Sequence, residues 1–177
     1  LAVSGLHVGF VLMFFTIISK IFVLPPLYRF LFTASGLLFY LGITGGSVSV
    51  LRAVTMAILY EYGKYRQKEI SPWNIVGFTG FLFLLINPLQ IFNLSFQLSF
   101  GAVAGILFLL QQYKGLYERW GRLNLWRQRK VFRIVVDGII VSMGAQLGTF
   151  LPIAHVFGEI PVWAFAANIL VIPLAGF

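Results

Sequence analysis

Residues 47–60 have the sequence SVSVLRAVTMAILY, an apolar run that carries a single charged side chain, Arg52. A guanidinium stays protonated in a protein, so it does not escape the cost of leaving water by losing its charge. At the centre of a membrane helix that cost is about 2.5–3.5 kcal/mol on insertion scales. Such a residue persists where it faces other helices, a polar partner or a water-filled path. We therefore expect Arg52 to be functional, and passage of a negatively charged species is the leading hypothesis.

The composition is that of a polytopic membrane protein. Of the 177 residues, 59% are hydrophobic and 10% are charged, against about 25% charged residues in soluble domains, and the mean hydropathy is +0.92. We predict an all-α fold: a single transmembrane domain over residues 1–177, with six to seven helices. Because the chain starts at Leu1 within a helix-like run, we expect it to be a fragment of a longer protein. It has no cysteine, which excludes disulfides, thiolate metal sites and cysteine nucleophiles.

The predicted helices correspond to seven apolar runs, residues 1–24, 30–43, 47–60, 73–86, 95–110, 131–151 and 162–177. Several contain only about 14–16 residues, fewer than the roughly 20 that a perpendicular span needs. Some helices are therefore expected to be short or to lie in the membrane interface. Prolines stand at positions 25, 26, 72, 88, 152 and 161, where we expect helix boundaries.

Basic residues concentrate in three connections, 20–29, 64–68 and 114–133, whereas connections 87–93 and 152–161 contain none. Seven spans place all three basic connections on one side of the membrane. The positive-inside rule makes that side the cytoplasm.

The third basic connection, residues 114–133, has seven basic residues interleaved with aromatic ones. Its apolar residues Tyr113, Leu116, Tyr117, Trp120 and Leu123 can form one face of an interfacial helix. The favoured interpretation is an anchor on anionic lipid; the alternative is a strip that binds single-stranded nucleic acid by stacking and phosphate contacts. The candidate contacts are Arg119, Arg122, Arg127, Arg129, Lys130 and Arg133.

Two pairs of glycines, Gly101 with Gly105 and Gly144 with Gly148, are spaced four residues apart. Glycines at this spacing let membrane helices approach closely. We expect them to serve helix packing.

Polar side chains inside the apolar runs are the candidates for a path through the membrane. The candidate path residues are Ser4, His7, Arg52, Gln97, Ser99 and Asn168; Gln146 and Asp137 are further polar residues of these runs. Ser4 and His7 share a helix face, where they either line a path or make hydrogen bonds between helices. A catalytic Ser–His dyad is the least favoured option, because both side chains project in one direction.

No metal or cofactor is expected. His7 and His155 are far apart, and neither an HExxH motif nor a phosphate-binding GxxxxGK[ST] motif is present. His155 is expected in a solvated connection. Any energy input would come from another subunit or from a gradient.

Four patches resemble one family, the ComEC-type competence proteins. They are LAVSGLHV (1–8), SVLRAVTM (49–56), NPL with SFQLSF (87–89 and 95–100), and FGEIP (157–161) followed by Asn168 and Pro173. Their order and spacing cover the whole chain.

The resemblance implies the membrane-embedded part of a DNA-uptake channel in the bacterial plasma (inner) membrane, which conducts one DNA strand into the cytoplasm. Ser4, Gly5, His7, Arg52, Gln97 and Ser99 match positions characteristic of the family. The implied partners are the lipid bilayer, single-stranded DNA, a separate DNA receptor and a cytoplasmic ATPase, with a homo-oligomer left open. Family members often carry a β-barrel domain before this region and a metallo-β-lactamase-like domain after it. We expect no nuclease or other enzymatic activity from this chain.

Three alternatives to the channel stay open at this point, one of them a scaffold in which every polar group is satisfied between helices. A permease for a small anionic solute or lipid headgroup would use Arg52 as the counter-charge in a closed pocket at mid-depth. An intramembrane Ser–His hydrolase would need an oxyanion hole and a lateral gate, for which the sequence has no signal.

Overall fold

The computed structural model describes the backbone of residues 5–120 and 130–157, and the side chains of residues 7–113 and 136–156. This part of the chain is helical: α1 (Gly5–Ile21), α2 (Pro26–Ile43), α3 (Val48–Tyr65), α4 (Pro72–Ile86), a 3-10 helix (Pro88–Phe92), α5 (Leu94–Trp120) and α6 (Lys130–Phe157). The predicted all-α fold with six to seven helices is confirmed. The seventh apolar run, 162–177, lies outside the described residues.

Three helices are long and apolar enough to cross a membrane, namely α2, residues Leu94–Tyr113 of α5 and residues Val136–Val156 of α6. Helices α1 and α4 are apolar but shorter, and for α4 this agrees with the short apolar run at residues 73–86. Helix α3 has the length of a span but contains Arg52, Glu61 and Lys64. These helices make the chain a membrane protein.

The chain folds as two compact units, Leu1–Pro88 and Leu89–Phe177. In the first unit, α1, α2 and α3 pack around a core of five buried side chains, Val8, Leu37, Val50, Val54 and Ala57. Helix α4 packs against α3 and buries Ile75, Thr79 and Phe83, which are four residues apart and therefore share one helix face. Helix α3 thus contacts every other helix of its unit.

Proline marks helix boundaries in this unit, as predicted, and two glycines form a further reversal of the chain. Pro26 and Pro72 stand in the first turns of α2 and α4, where a missing N–H breaks no helical hydrogen bond. After α2 the chain reverses through Gly45 and Gly46, whose φ angles are 70° and 66°. These values lie in the left-handed region that glycine enters without steric cost.

In the second unit, α5 and α6 pack backbone against backbone at the two glycine pairs. A Cβ atom at Gly101 or Gly105 would collide with the carbonyl oxygen of Gly148 or Gly144, respectively. A Cβ atom at Gly144 would lie 2.6 Å from the Cα of Ile106. The predicted role of the glycines in helix packing is confirmed.

The predicted boundary at Pro152 is wrong. Helix α6 continues through Pro152 to Phe157, so His155 lies in the last helical turn and not in a connection. Proline within a helix removes the hydrogen bond to the carbonyl four residues earlier, which here belongs to Gly148. Membrane helices tolerate this loss when neighbouring groups compensate, and Gly148 is a contact point with α5.

Helix α5 also exceeds its predicted length. It runs without interruption from Leu94 to Trp120, so residues 114–120 extend a membrane helix and do not begin a separate interfacial one. At about 1.5 Å per residue, a 27-residue helix is roughly 40 Å long. This exceeds the hydrocarbon thickness of about 30 Å.

The glycine contact predicts a sharp difference between two neighbouring glycines of α6. Gly144→Ala forces the backbones of α5 and α6 apart and should destabilise the protein by about 1–3 kcal/mol, the usual cost of overpacking. Gly138→Ala is the matched control, because a Cβ atom there meets no other atom within 4 Å. Thermal unfolding of the full-length protein in detergent measures the stability of both variants and of the wild type. Equal melting temperatures for Gly144→Ala and wild type would contradict the described contact.

Candidate functional site

Arg52 is almost completely buried, with 1% of its surface exposed. It is the fifth residue of α3. Since an α-helix has about 3.6 residues per turn, Arg52 points away from Val50 and Val54, which face the core shared with α1 and α2. It therefore lies on the side of α3 opposite that core. In this conformation the guanidinium is enclosed within the protein and exposed to neither lipid nor water.

Glu61 is the second buried charge of α3, with 4% exposure. It lies about 13 Å further along the helix axis than Arg52 and on the opposite side, so it does not neutralise Arg52. Its Oε1 atom instead accepts a hydrogen bond from Lys64 Nζ at 2.9 Å. Arg52 and Glu61 therefore belong to two different polar sites.

The Lys64–Glu61 pair lies in the last turns of α3, beyond the apolar run 47–60. Burial lowers the pKa of Lys64, but the hydrogen bond and charge of Glu61 raise it by more, so the pKa ends above its usual value. For a lysine with a raised pKa, the stabilisation is complete at neutral pH and is lost as pH rises through that pKa. Lys64 therefore carries its positive charge at neutral pH.

Two of the predicted path residues lie at one end of the first unit. The start of α1 lies beside the Arg52 turn of α3, since a Cβ atom at Gly5 would be 3.7 Å from Ala53 Cβ. His7, in the first turn of α1, is exposed. The structure thus brings the helix turns of His7 and Arg52 together. Ser4 lies outside the described residues.

Gln97 and Ser99 belong to the second unit. The amide nitrogen of Gln97 donates a hydrogen bond of 2.8 Å to the backbone carbonyl of Ile91, which holds the 3-10 helix against the start of α5. Asn93 Oδ1 accepts a hydrogen bond from the Ser95 backbone N–H at 2.9 Å, as a helix-capping residue does. Ser99 is half-buried. Gln97 therefore has a structural partner in addition to its predicted place on a path.

The convergence of Arg52, His7, Gln97 and Ser99 on one path stays a prediction, and Asn168 lies outside the described residues. The predicted lipid or DNA contacts of the basic segment, residues 114–133, also stay a prediction. The structure gives the helical backbone at Arg119, Lys130 and Arg133, but their side chains, and Arg122, Arg127 and Arg129 altogether, lie outside the described residues.

A polar cavity of about 320 Å³ is a feature that sequence reasoning missed. It lies where α1 ends, α2 begins and α3 ends, and its charged lining is Lys20, Arg29, Glu61 and Lys64. The sequence contained a signal, because Glu61 stands among aromatic residues with Lys64 one turn later. The first two basic connections therefore meet at one end of the first unit.

Several curated proteins are similar to this chain. ComE operon protein 3 of Bacillus subtilis is 27% identical over 185 residues, which cover 100% of this chain and 21% of that protein. Recombination protein 2 of Haemophilus influenzae is 27% identical over 193 residues, covering 100% of this chain and 23% of that protein. The uncharacterized protein YcaI of Escherichia coli is 32% identical over 142 residues, covering 78% and 17%, respectively. The chain thus spans about a fifth of the length of these relatives.

No solved structure matches the chain. The sequence profile of one family, described as Competence protein, matches residues 1–177, which is the entire chain. The expectation from the four sequence patches is therefore confirmed, and the chain belongs to the competence protein family.

Proposed function

We propose that this protein forms part of a channel that imports single-stranded DNA across the bacterial plasma (inner) membrane during natural transformation. The observation that carries the proposal is the enclosed, permanently charged Arg52 on α3, in a competence-family chain with candidate membrane spans. The names ComE operon protein 3 and Recombination protein 2 support a role in DNA uptake for the relatives. A DNA strand carries one phosphate per nucleotide, for which a guanidinium is a strong partner.

A single fixed positive charge on the proposed path is compatible with the conduction of DNA. Passage through a membrane requires binding that is favourable enough for entry and weak enough for release. One arginine among neutral hydrogen-bonding groups meets both conditions, whereas a row of cations would hold the strand. Because Arg52 is enclosed in this conformation, import requires a movement that opens the side of α3 that carries Arg52.

The proposed orientation follows the charges of the connections. Residues 20–29 and 64–68 face the cytoplasm under the positive-inside rule, as does 114–133. The basic cytoplasmic surface attracts the emerging strand with an affinity that falls as salt rises. In this proposal the segment itself is not an enzyme, and the strand is driven by a separate ATPase or by a gradient. A DNA receptor delivers the strand from outside.

The proposal predicts that Arg52 is needed for entry of DNA and not for its capture. In the source organism, a deletion strain is complemented with full-length wild type, Arg52→Leu or Arg52→Lys. Labelled duplex DNA is then followed into a state protected from external nuclease. We expect Arg52→Leu to bind DNA at the cell surface and to lose entry by roughly tenfold or more, or about 1.4 kcal/mol in the barrier. Arg52→Lys keeps the charge and should retain part of the activity.

Leu51→Ala is the matched control, since it shortens an exposed apolar side chain of α3 next to Arg52 and should leave entry unchanged. Immunoblots of the membrane fraction normalise each variant for protein amount. Entry by Arg52→Leu at the wild-type rate would overturn the role of Arg52. Normal entry in the deletion strain would overturn the transport assignment as a whole and make the small-anion permease the hypothesis to test.

A further inference from the structure

The polar cavity of the first unit has the composition of an anion-binding site. Its lining holds three cations, Lys20, Arg29 and Lys64, against one carboxylate, Glu61. Lys64 is paired with Glu61 at 2.9 Å, so two positive charges are in excess. A volume of about 320 Å³ lies at the lower end of the range of small-ligand sites, which is roughly 300–1,000 Å³.

One donor in the cavity lining is buried without an acceptor. The Nε atom of Arg29 is excluded from solvent and has no hydrogen-bond partner among the described residues. Leaving a buried N–H unsatisfied is unfavourable, and more so for a charged group. An oxyanion in the cavity would supply the missing acceptor.

Helix α2 adds a second attraction for an anion. It begins at the cavity with Pro26, and the N–H groups of Leu27 and Tyr28 in its first turn have no acceptor within the helix. The unsatisfied N–H groups at the start of an 18-residue helix carry a partial positive charge that favours phosphate. The cavity thus combines a helix N-terminus, two excess cations and an unsatisfied guanidinium N–H.

The surroundings of the cavity favour a lipid as the source of that phosphate. The end of α1 and the connection to α2 expose Ile21, Phe22 and Val23 by 70%, 72% and 83%, which is the surface expected next to acyl chains. Phe30 and Tyr65, both lining residues, stack with ring centroids 5.8 Å apart. Aromatic rings of this kind concentrate at the membrane–water interface.

We propose that this cavity binds the phosphate headgroup of an anionic phospholipid, with Arg29 as its main phosphate contact. Glu61 pairs with Lys64 in the cavity lining and limits the positive charge of the site. The inference does not depend on DNA import, because it rests on unit-one residues other than Arg52.

The test uses purified full-length protein and measures its thermal stability in detergent with short-chain phosphatidylglycerol or, as the neutral comparison, phosphatidylcholine. A ligand that binds the folded state raises the melting temperature as its concentration exceeds its Kd. We expect phosphatidylglycerol to stabilise the wild type and phosphatidylcholine not to do so. Arg29→Gln should weaken the phosphatidylglycerol affinity by roughly tenfold, and Arg66→Gln, an exposed cation outside the lining, should not.

Glu61→Gln should change the affinity for phosphatidylglycerol in the direction opposite to Arg29→Gln. Removing the carboxylate increases the positive excess, so the affinity for phosphatidylglycerol should rise. Native mass spectrometry of the wild type, Arg29→Gln and Arg66→Gln counts bound lipid independently of melting, and should show a retained lipid that only Arg29→Gln loses.

Three outcomes would overturn the proposal. Equal stabilisation of Arg29→Gln and wild type by phosphatidylglycerol would exclude the cavity as the lipid site. Equal stabilisation by inorganic phosphate alone would show a site for the free anion. Displacement of the lipid by a single-stranded oligonucleotide at micromolar concentration would assign the cavity to nucleic acid.

Discussion

The permanent charge of Arg52 is the constraint on which the first unit depends. A guanidinium in a membrane protein must be kept away from hydrocarbon, and the fold achieves this by placing α3 in contact with α1, α2 and α4. The same helix carries Glu61 and Lys64. The most charged helix of the unit is therefore the one with the most neighbours, while the apolar α2 forms a candidate span.

The helices associate through different kinds of contact in the two units. Because lipid tails are as apolar as leucine, membrane helices gain little from hiding apolar side chains and must rely on close packing. In the first unit, side chains such as Leu37 and Val54 fill the space between helices, and the Phe15 ring lies directly over Gly36. In the second unit, four glycines bring two backbones into contact. Large apolar side chains such as Phe39 and Leu151 remain exposed, as lipid-facing residues do.

Much of this structure could be predicted from sequence, because membrane helices require long apolar runs and because glycine spacing and proline position have local effects. Pro152 shows the limit of local rules, since tolerance of a helical proline depends on a neighbouring helix. The cavity was missed for a related reason: Lys20, Arg29 and Glu61 are separated in sequence and meet only through the antiparallel arrangement of α1, α2 and α3. Arg52 could be recognised as a candidate because the free-energy cost of burying a charge in an apolar helix can be read from the neighbouring residues alone. The hydrogen bond from Gln97 to the Ile91 carbonyl could not be predicted, because it depends on the backbone geometry of the connection before α5.

The central claim is that the side of α3 that carries Arg52 opens to water when DNA passes. Ser49 and Met56 lie on that side, three residues before and four after Arg52, whereas Val50 faces the packed core with 0% exposure. The most direct measurement is the labelling of Ser49→Cys, Met56→Cys and Val50→Cys, each as the only cysteine of the full-length protein, with a charged, membrane-impermeant thiol reagent. The account predicts that the first two react during DNA import and stay protected in resting cells, while Val50→Cys stays protected throughout. Protection of all three during active import would contradict it.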